Sequence, residues 1–311
     1  MVRCATIALT TDAKNEGLPV QHVSAERTTD RTLPTDAVVI TVAPTGSEPT
    51  RRDNPSVPYL PAEIADEAVR AGSAGAGVVH IHVREDDGRP SADRRRFEEV
   101  VSSIHARSGM LCCVSTGGAT GMSVDERLAG AYASADAVGV ETGSVNFAGV
   151  PFVTSGSDTA RVIEVARSLG KALEVEAFDI GHVATGADLI DQGVLAPGTP
   201  FNLVFGVAGG SPATAGALYS MVTHVPGGSP WTVTAVGRHQ TRMLMGALLM
   251  GAPGIRVGFE DNVYLRRGVL AHSNAELVEQ VAQLCELVGR RPAEAAECRA
   301  YFGLRPATDA R

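Results

Sequence analysis

The hydrophobic pattern of the chain repeats one unit: a short β-branched run, a turn, and then a stretch with helical periodicity. From Ala37 onward this unit occurs eight times. Each run is bounded by Gly, Pro, Asp or Ser, and its apolar character on both faces is typical of a buried parallel strand. The predicted strands are AVVITVA at 37, GVVHIHV at 77, MLCCVS at 110, AVGVE at 137, ALEVEAF at 172, FNLVFGV at 201, WTVTAV at 231 and IRVGFE at 255.

Amphipathic stretches lie between these runs and predict helices. In RRRFEEVVSSIHAR, one helical face carries the apolar residues Phe97, Val100, Val101 and Ile104. Ser123 with Glu126, and Ser273 with Glu276, have the spacing of a capping box at a helix start. Pro61 suits a first helical position, because a proline there gives up no helical hydrogen bond.

Eight alternating units with doubly apolar strands predict an α/β fold, a single (β/α)8 TIM barrel. An open, doubly wound sheet is the alternative. We assign residues 37–311 to the barrel, and the segment GRRPAEAAECRAYFGL near their end predicts a further, C-terminal helix. Residues 1–36 are polar and lack the apolar core of a signal peptide, so we interpret them as a poorly ordered N-terminal extension.

Composition narrows the function classes. The 311 residues are 44% hydrophobic and 20% charged, and no apolar run approaches the ~20 residues that cross a membrane. The net charge is −8 and the arginines are scattered along the sequence, which argues against nucleic acid as a partner. Five cysteines without a CxxC pair favour a reducing compartment, the cytoplasm.

The second predicted strand carries an unusual pair of histidines. His80 and His82 are two residues apart, so their side chains point to the same face of the strand. Burying two imidazoles is costly without partners, and one metal ion would satisfy both. The alternative is a satisfied core histidine with a neighbour at the strand end.

Active sites of βα barrels are built at the carboxyl ends of the strands, and here those ends are polar. Glu48 follows the first strand, Ser115 and Thr116 end the third, and Glu141 ends the fourth. The glycine-rich run TGGATG, which includes Gly117 and Gly118, allows close backbone approach to a carboxylate or phosphate. We therefore expect Thr116, Gly117, Gly118 and Glu141 to contact substrate.

The eighth strand adds Arg256, Glu260 and Asp261. Barrel closure would bring Glu260 near the histidines, giving the two-histidine, one-carboxylate set of catalytic zinc; manganese or ferrous iron would accept the same ligands. A solvated turn is the alternative for both acidic residues. Asp261 would face away on an extended chain and is better placed to act on substrate. Arg256, at an even offset, would point inward and needs a carboxylate partner such as Glu48 or the substrate.

Four motifs, HIHVREDDGRPS, STGGATG, TGSVNF and IRVGFEDN, together resemble the β-keto acid cleavage enzyme family in the same order. The resemblance implies a zinc-dependent βα-barrel acyltransferase and a homo-oligomer, a homotetramer. It implies condensation of a β-keto acid with acetyl-CoA and a retro-Claisen cleavage to acetoacetate and a new acyl-CoA. Matched by motif, the zinc ligands are His80, His82 and Glu260.

The same resemblance implies roles for the neighbouring polar residues. Asp261 corresponds to the general base, and Ser115, Glu48 and Arg256 to the relay that orients it. Glu141 stands where an uncharged residue is expected in this family, so we hypothesise that it selects a cationic β-keto acid; capping the following loop is the alternative. Two other functions stay open: a zinc-dependent hydrolase or aldolase, and a non-catalytic barrel that binds a small acid around a structural metal.

Overall fold

Eight parallel strands close into a barrel. The computed structural model describes residues 33–147 and 149–305. The barrel strands pair in the order in which they occur along the chain, and pairing of the first with the last closes the sheet. These strands are β1 (Ala37–Val42), β2 (Val78–Ile81), β3 (Leu111–Val114), β4 (Ala137–Glu141), β7 (Ala172–Ala177), β8 (Phe201–Phe205), β9 (Trp231–Ala235) and β10 (Gly254–Val257). The predicted (β/α)8 barrel and all eight strands are confirmed.

Helices follow the barrel strands and cover the outer face of the sheet. The α-helices are α1 (Pro61–Ser73), α2 (Arg94–Arg107), α3 (Val124–Arg127), α4 (Gly156–Ser168), α5 (Ile180–Asp191), α6 (Ala215–His224), α7 (Gln240–Leu249), α8 (Asn274–Leu287) and α9 (Ala295–Tyr301). Two 3₁₀ helices lie at Leu128–Tyr132 and Gly237–His239. The helices are therefore placed to bury the outward-facing side of the strands.

Local signals explain where several helices begin. Pro61 is the first residue of α1. Ser123 caps α3, with its side chain accepting from the Glu126 backbone N–H and the Glu126 carboxylate returning to Ser123. These capping interactions satisfy amide groups that have no partner inside the helix. The predicted apolar face of α2 is buried at Phe97, Val100, Val101 and Ile104.

Five short strands lie outside the predicted pattern. An antiparallel hairpin of β5 (Val145–Phe147) and β6 (Val150–Phe152) follows β4, and a second hairpin, β11 (Tyr264–Arg266) with β12 (Val269–Leu270), follows β10. Strand β13 (Arg291–Pro292) pairs with the start of β1. Both hairpins extend from carboxyl ends of barrel strands, which is the end that carries the polar residues.

Helix α9 closes the opposite end of the barrel. Tyr301 and Phe302 pack in one buried cluster with residues from the beginnings of the strands, among them Val39, Val78 and Leu111. The Tyr301 hydroxyl and Thr232 Oγ1 are 2.8 Å apart inside the barrel. The C-terminal helix that the sequence predicts is thus present and forms the floor of the barrel.

Two predictions concern the rest of the chain. Among the residues described, no helix combines the length and apolar character needed to cross a bilayer. The predicted N-terminal extension, residues 1–36, lies outside the described residues except for 33–36. Its boundary with the barrel therefore stays a prediction.

Candidate active site

The two histidines of β2 lie at the carboxyl end of the barrel and on its inner side. His80 is within the strand and His82 directly follows it. Their ring centroids are 5.3 Å apart and both side chains are buried. The strand alternation therefore places both imidazoles on one face, as predicted, with Ile81 in the outer core.

Glu260 reaches the histidines from a turn that follows β10. Its Oε1 lies 3.5 Å from His82 Nε2, and its Oε2 lies 3.8 Å from His80 Nε2. Two glycines make this approach possible. A Cβ atom at Gly46 would overlap Glu260 Cγ, and Gly258 adopts φ +141° while its missing Cβ leaves room for the Ala43 backbone.

The donor set fits a metal ion. His80, His82 and Glu260 each offer one ligand atom, and these atoms all lie within 4.8 Å of one another. Glu260 Oε2, which lies on the Nε2 side of His80, is buried without a hydrogen-bond partner in the residues described, as expected for a group that another species satisfies. Imidazole nitrogen and carboxylate oxygen are the ligands of catalytic zinc sites that keep an open position.

Electrostatics keep His80 and Glu260 in the protonation states that bind a metal ion. Burial, helped by Arg256, lowers the pKa of His80 well below its usual value, so its imidazole is neutral. Burial raises the pKa of Glu260, but Arg256 and the two histidines outweigh it and hold that pKa well below the usual range. A neutral imidazole and an ionised carboxylate are the forms that coordinate a cation.

Asp261 is held by Arg256, which corrects one expectation. Arg256 donates to Asp261 Oδ2 from Nε at 2.9 Å and to Oδ1 from Nη2 at 3.0 Å, and Nη2 also lies 2.7 Å from Glu260 Oε1. The expectation that Asp261 faces away from Glu260 is wrong, because the chain turns at Gly258 and strand alternation ends there. Glu48, one of the two partners considered for Arg256, does not pair with it; the carboxylates around the guanidinium are those of Asp261, Glu260 and Glu176. Glu48 is exposed and accepts a long, 3.4 Å hydrogen bond from Ser47.

Burial tunes the Asp261 carboxyl. It raises the pKa of Asp261 to about 6, and the Arg256 guanidinium opposes a larger rise. The carboxyl is therefore mostly ionised at neutral pH yet more basic than an exposed aspartate. A positioned carboxylate with such a pKa suits general base catalysis.

Glu176 and Glu174 of β7 are buried inside the barrel beneath this cluster. Glu176 Oε1 lies 3.8 Å from His80 Nδ1 and 3.5 Å from Arg256 Nη1, and it accepts from Asn202 Nδ2 at 3.5 Å. Burial raises the pKa of Glu176 to about 8 and that of Glu174 to about 7. The even offset between Glu174 and Glu176 indicates from the sequence that both face the same side of the strand, but it does not indicate that Glu176 contacts His80 and Arg256.

The residues after β3 divide between the site and its support. Ser115 Oγ is buried and accepts from the Gly117 backbone N–H at 3.0 Å. A Cβ atom at Gly117 would lie 3.2 Å from that hydroxyl and 4.0 Å from His82 Cε1, so Gly117 borders the site. Gly118 instead adopts φ +57° and lies beside Met122 and Arg127. Thr116 Oγ1 donates to the Gly139 carbonyl at 2.7 Å, so its hydroxyl supports the neighbouring strand.

Glu141 has a cationic partner of its own. Arg127 Nη2 donates to Glu141 Oε2 at 2.8 Å, and both side chains are 2% exposed. The same guanidinium donates to the Thr116 carbonyl at 2.6 Å and stacks over the Phe152 ring at 4.6 Å. Glu141 is therefore not a free anion for a cationic substrate tail. Arg127 belongs to α3, so the pattern of polar strand ends does not indicate it.

A second group of metal-ligand type has a structural explanation. His105, Cys112 and Asp136 lie together at the amino-terminal end of the barrel. Asp136 Oδ2 contacts His105 Nε2 at 2.9 Å and accepts from the Cys112 backbone N–H at 3.0 Å, while Oδ1 contacts Arg299 Nη1 at 3.0 Å. Burial raises the pKa of the Cys112 thiol, which disfavours the thiolate that a metal needs.

These features define a (β/α)8-barrel enzyme whose polar end combines a histidine–carboxylate cluster with a buried carboxylate that an arginine holds. The fold is also found in solved structures of ObcA. Its binary complex with oxaloacetate is 20% identical in sequence, has a TM-score of 0.71, and covers 81% of this chain and 68% of that chain.

The chain belongs to the beta-keto acid cleavage enzyme family, whose family model matches residues 37–304. It is 39% identical over 272 residues to the 3-keto-5-aminohexanoate cleavage enzyme of Fusobacterium nucleatum. The matched region covers 87% of this chain and 99% of that relative. It is 35% identical over 274 residues to the 3-oxoadipate:acetyl-CoA acetyltransferase of Cupriavidus necator, with 87% and 96% covered. The protein is accordingly an enzyme of this kind.

Proposed function

We propose that the protein is a zinc-dependent β-keto acid cleavage enzyme that converts a β-keto acid and acetyl-CoA into acetoacetate and a new acyl-CoA. One observation carries the proposal: His80, His82 and Glu260 converge within 4.8 Å beside the Asp261 carboxylate in a member of this family. The name of the Cupriavidus relative, 3-oxoadipate:acetyl-CoA acetyltransferase, includes acetyl-CoA, which supports the choice of cosubstrate.

His80, His82 and Glu260 would hold the metal, and manganese or ferrous iron would accept the same set. When bound, zinc would supply a Lewis acid that makes the proton between ketone and carboxylate more acidic. Arg256 keeps Glu260 ionised through the 2.7 Å contact with Oε1. Glu176 faces His80 Nδ1 from below and would orient the imidazole.

Asp261 takes the proton from the carbon between the two carbonyl groups. The resulting carbon nucleophile attacks the acetyl thioester, a new C–C bond forms, and the C–S bond breaks with release of CoA thiolate. The thiolate then attacks the original ketone, the adjacent C–C bond breaks, and the electron pair remains on the acetoacetate carbon. Asp261 returns its proton to that carbon, so the carboxylate is regenerated.

The remaining residues position these groups. Arg256 fixes the Asp261 carboxylate with two hydrogen bonds and favours its ionised form. The buried Ser115 hydroxyl and the Gly117 backbone border the space next to His82, where a substrate carbonyl can approach. Glu48, exposed after β1, stays a predicted member of the relay.

The test is acetoacetate formation by the purified, zinc-loaded protein with a panel of β-keto acids, with and without acetyl-CoA. We expect acetoacetate and a new acyl-CoA only when acetyl-CoA is present, loss of activity after chelation, and recovery with zinc. Product release without acetyl-CoA would instead support a hydrolase or aldolase. Stoichiometric zinc with no turnover of any β-keto acid would support a structural metal.

We also propose a homotetramer in the cytoplasm. Large apolar side chains on the helical surface, Leu249 at 77% and Leu287 at 81% exposure, support burial against another subunit. The described cysteines, which lack disulfide partners, support a reducing compartment. Light scattering coupled to size-exclusion chromatography tests the assembly, and a monomer at micromolar concentration would contradict it.

A further inference from the structure

A large groove lies on the rim of the barrel beside the site. Its volume is about 920 Å³, within the range of about 300–1,000 Å³ that is common for small-molecule sites. One wall follows β9 and the 3₁₀ turn into α7, and the other is the β11–β12 hairpin after β10. The lining residues are Gly237, Arg238, Thr241, Arg242, Asn262, Tyr264, Leu265, Arg266, Arg267 and Gly268.

Four arginines converge in this groove, and no acidic residue lines it. Arg238, Arg242, Arg266 and Arg267 are exposed, and none forms an ion pair within the residues that the structure describes. Arginines elsewhere commonly pair with an acid, as Arg161 does with Glu164. Although the arginines are scattered along the sequence, the fold brings these four to one groove. In a chain of net charge −8, this local excess of cations calls for an anionic ligand.

The position of the groove is that of a phosphate site. Phosphate groups on βα barrels are frequently bound by the loops after the seventh and eighth strands, and here β9 and β10 are those strands. Guanidinium groups suit phosphate because they donate two parallel hydrogen bonds. Tyr264 lines the same groove with 46% of its surface exposed, so its ring is available for a base to stack on.

The walls of the groove adjoin the segment that carries Asp261. The Gly237 backbone N–H donates to the Asp261 carbonyl at 2.8 Å, so the wall after β9 is bonded directly to the residue proposed as the base. Asn262, which follows Asp261 in the chain, donates from Nδ2 to the Tyr264 carbonyl at 2.6 Å. A ligand with its anionic end among the arginines would therefore lie one residue along the chain from Asp261, within reach of a flexible arm.

We propose that this groove binds the nucleotide end of coenzyme A, with the arginines contacting its diphosphate and 3′-phosphate and Tyr264 stacking on the adenine. The assignment rests on the proposed function, because it supplies a binding site for the acetyl-CoA used there. The small β-keto acid needs neither this volume nor these charges. Arg238 and Arg242 would contact the phosphates from the wall after β9, and Arg266 and Arg267 would contact them from the β11–β12 hairpin.

The experiment measures two different acyl donors on two double variants, R238Q/R242Q and R266Q/R267Q. The matched control is R161Q, which removes an exposed helix arginine that is paired with Glu164. Acetyl-CoA carries the nucleotide, whereas S-acetyl-N-acetylcysteamine carries the thioester without it. Thermal unfolding checks that the variants are folded, and calorimetry measures binding of CoA and of adenosine 3′,5′-bisphosphate.

We expect each double variant to raise KM for acetyl-CoA and Kd for CoA at least about tenfold, as loss of a charge-assisted contact predicts. KM for the β-keto acid and turnover of S-acetyl-N-acetylcysteamine should stay within about twofold of the R161Q control. Y264A should weaken binding of adenosine 3′,5′-bisphosphate, and Y264F should retain it.

Two results separate failure of this inference from failure of the proposed function. If folded double variants bind CoA and adenosine 3′,5′-bisphosphate as tightly as R161Q, the groove is not the nucleotide site. The same conclusion follows if the unmodified enzyme binds neither compound. If the unmodified enzyme binds them with an affinity that depends on the arginines but forms no acetoacetate, the nucleotide site stands and the cleavage reaction fails.

Discussion

Arg256 links the two acidic residues that follow β10. Its guanidinium contacts both oxygens of Asp261 and one oxygen of Glu260, and all three side chains come from a single stretch of six residues. One guanidinium therefore offsets one of the two buried carboxylate charges, and the remaining negative charge favours a bound cation. Glu260 is free to serve as a ligand because its partner does not use Oε2.

Asp261→Asn should reduce kcat by about 10²–10⁴-fold, the usual contribution of a general base. The amide keeps the size of the side chain but cannot accept a proton. Zinc content, measured by mass spectrometry, should stay at the level of the unmodified protein, because Asp261 is outside the three-residue cluster. A variant with normal kcat would exclude Asp261 as the base.

Gly46→Ala should weaken metal binding without unfolding the barrel. The new methyl group would overlap Glu260 Cγ, so the carboxylate must move away from the histidines. We expect at least about tenfold weaker zinc affinity in a chelator competition, in line with the loss of a ligand's support.

Gly216→Ala is the matched control, because a Cβ atom at that helical glycine meets nothing within 4 Å. It should bind zinc normally and be as stable as the unmodified protein or more so. Equal zinc affinity in both variants would show that Glu260 does not need the space at Gly46.

At the scale of elements, the barrel strands were predictable and the added hairpins were not. A buried parallel strand is visible as a run such as that of β8, because both of its faces must be apolar. Strand β11 has three residues and β12 has two, which are too few for a periodic signal. The turn at Gly258 also leaves no periodic signal, because a single residue with φ +141° produces it. Strand alternation ends at this turn, so it gave the wrong direction for the Asp261 side chain.

Tyr301 gives a quantitative test of how α9 supports the barrel. Its side chain is fully buried in the floor cluster, and its hydroxyl contacts Thr232. Tyr301→Ala should lower the free energy of unfolding by about 3–5 kcal/mol, whereas Tyr301→Phe should lower it by about 1 kcal/mol. Urea unfolding measures both, and equal losses would mean that the hydroxyl contact dominates.

At the scale of the whole molecule, Asp136 connects α2, β3 and α9. Burial raises its pKa, but hydrogen bonds with His105, the Cys112 backbone and Arg299 outweigh it, so the pKa of Asp136 is lowered on folding. A lowered carboxyl pKa stabilises the fold above the unfolded value of about 3.9, and that stabilisation is lost as the pH falls through the folded value.

Asp136→Asn should therefore cost about 2 kcal/mol of unfolding free energy at pH 7, the scale of hydrogen bonds to a charged group. The difference from the unmodified protein should begin to shrink below about pH 4, where Asp136 of the unfolded chain takes up a proton, and it should disappear once the pH has fallen through the lowered pKa of the folded state. Denaturant unfolding across this pH range measures it. Two parallel curves would show that the charge of Asp136 does not stabilise the fold.

The histidine–carboxylate cluster could be predicted from the sequence because two motifs carry its residues to the carboxyl ends of β2 and β10, which barrel closure brings close together. The sequence did not predict which cations accompany the carboxylates. Arg127 reaches Glu141 from α3, and the groove arginines come from two segments after β9 and β10. Such partnerships depend on how loops fold over the barrel, which periodicity does not encode.

The floor formed by α9 leaves the carboxyl-terminal mouth as the route by which small molecules pass. In the proposed reaction, a keto acid seated beside Asp261 would lie beneath a thioester that enters along the rim. We expect compulsory-order kinetics, with the keto acid entering before acetyl-CoA and acetoacetate departing after the acyl-CoA. Product-inhibition kinetics measure the order of binding and release. Acetoacetate should be a competitive inhibitor against the keto acid, because both bind the free enzyme. A random-order pattern would mean that acetyl-CoA reaches the site by a second entrance.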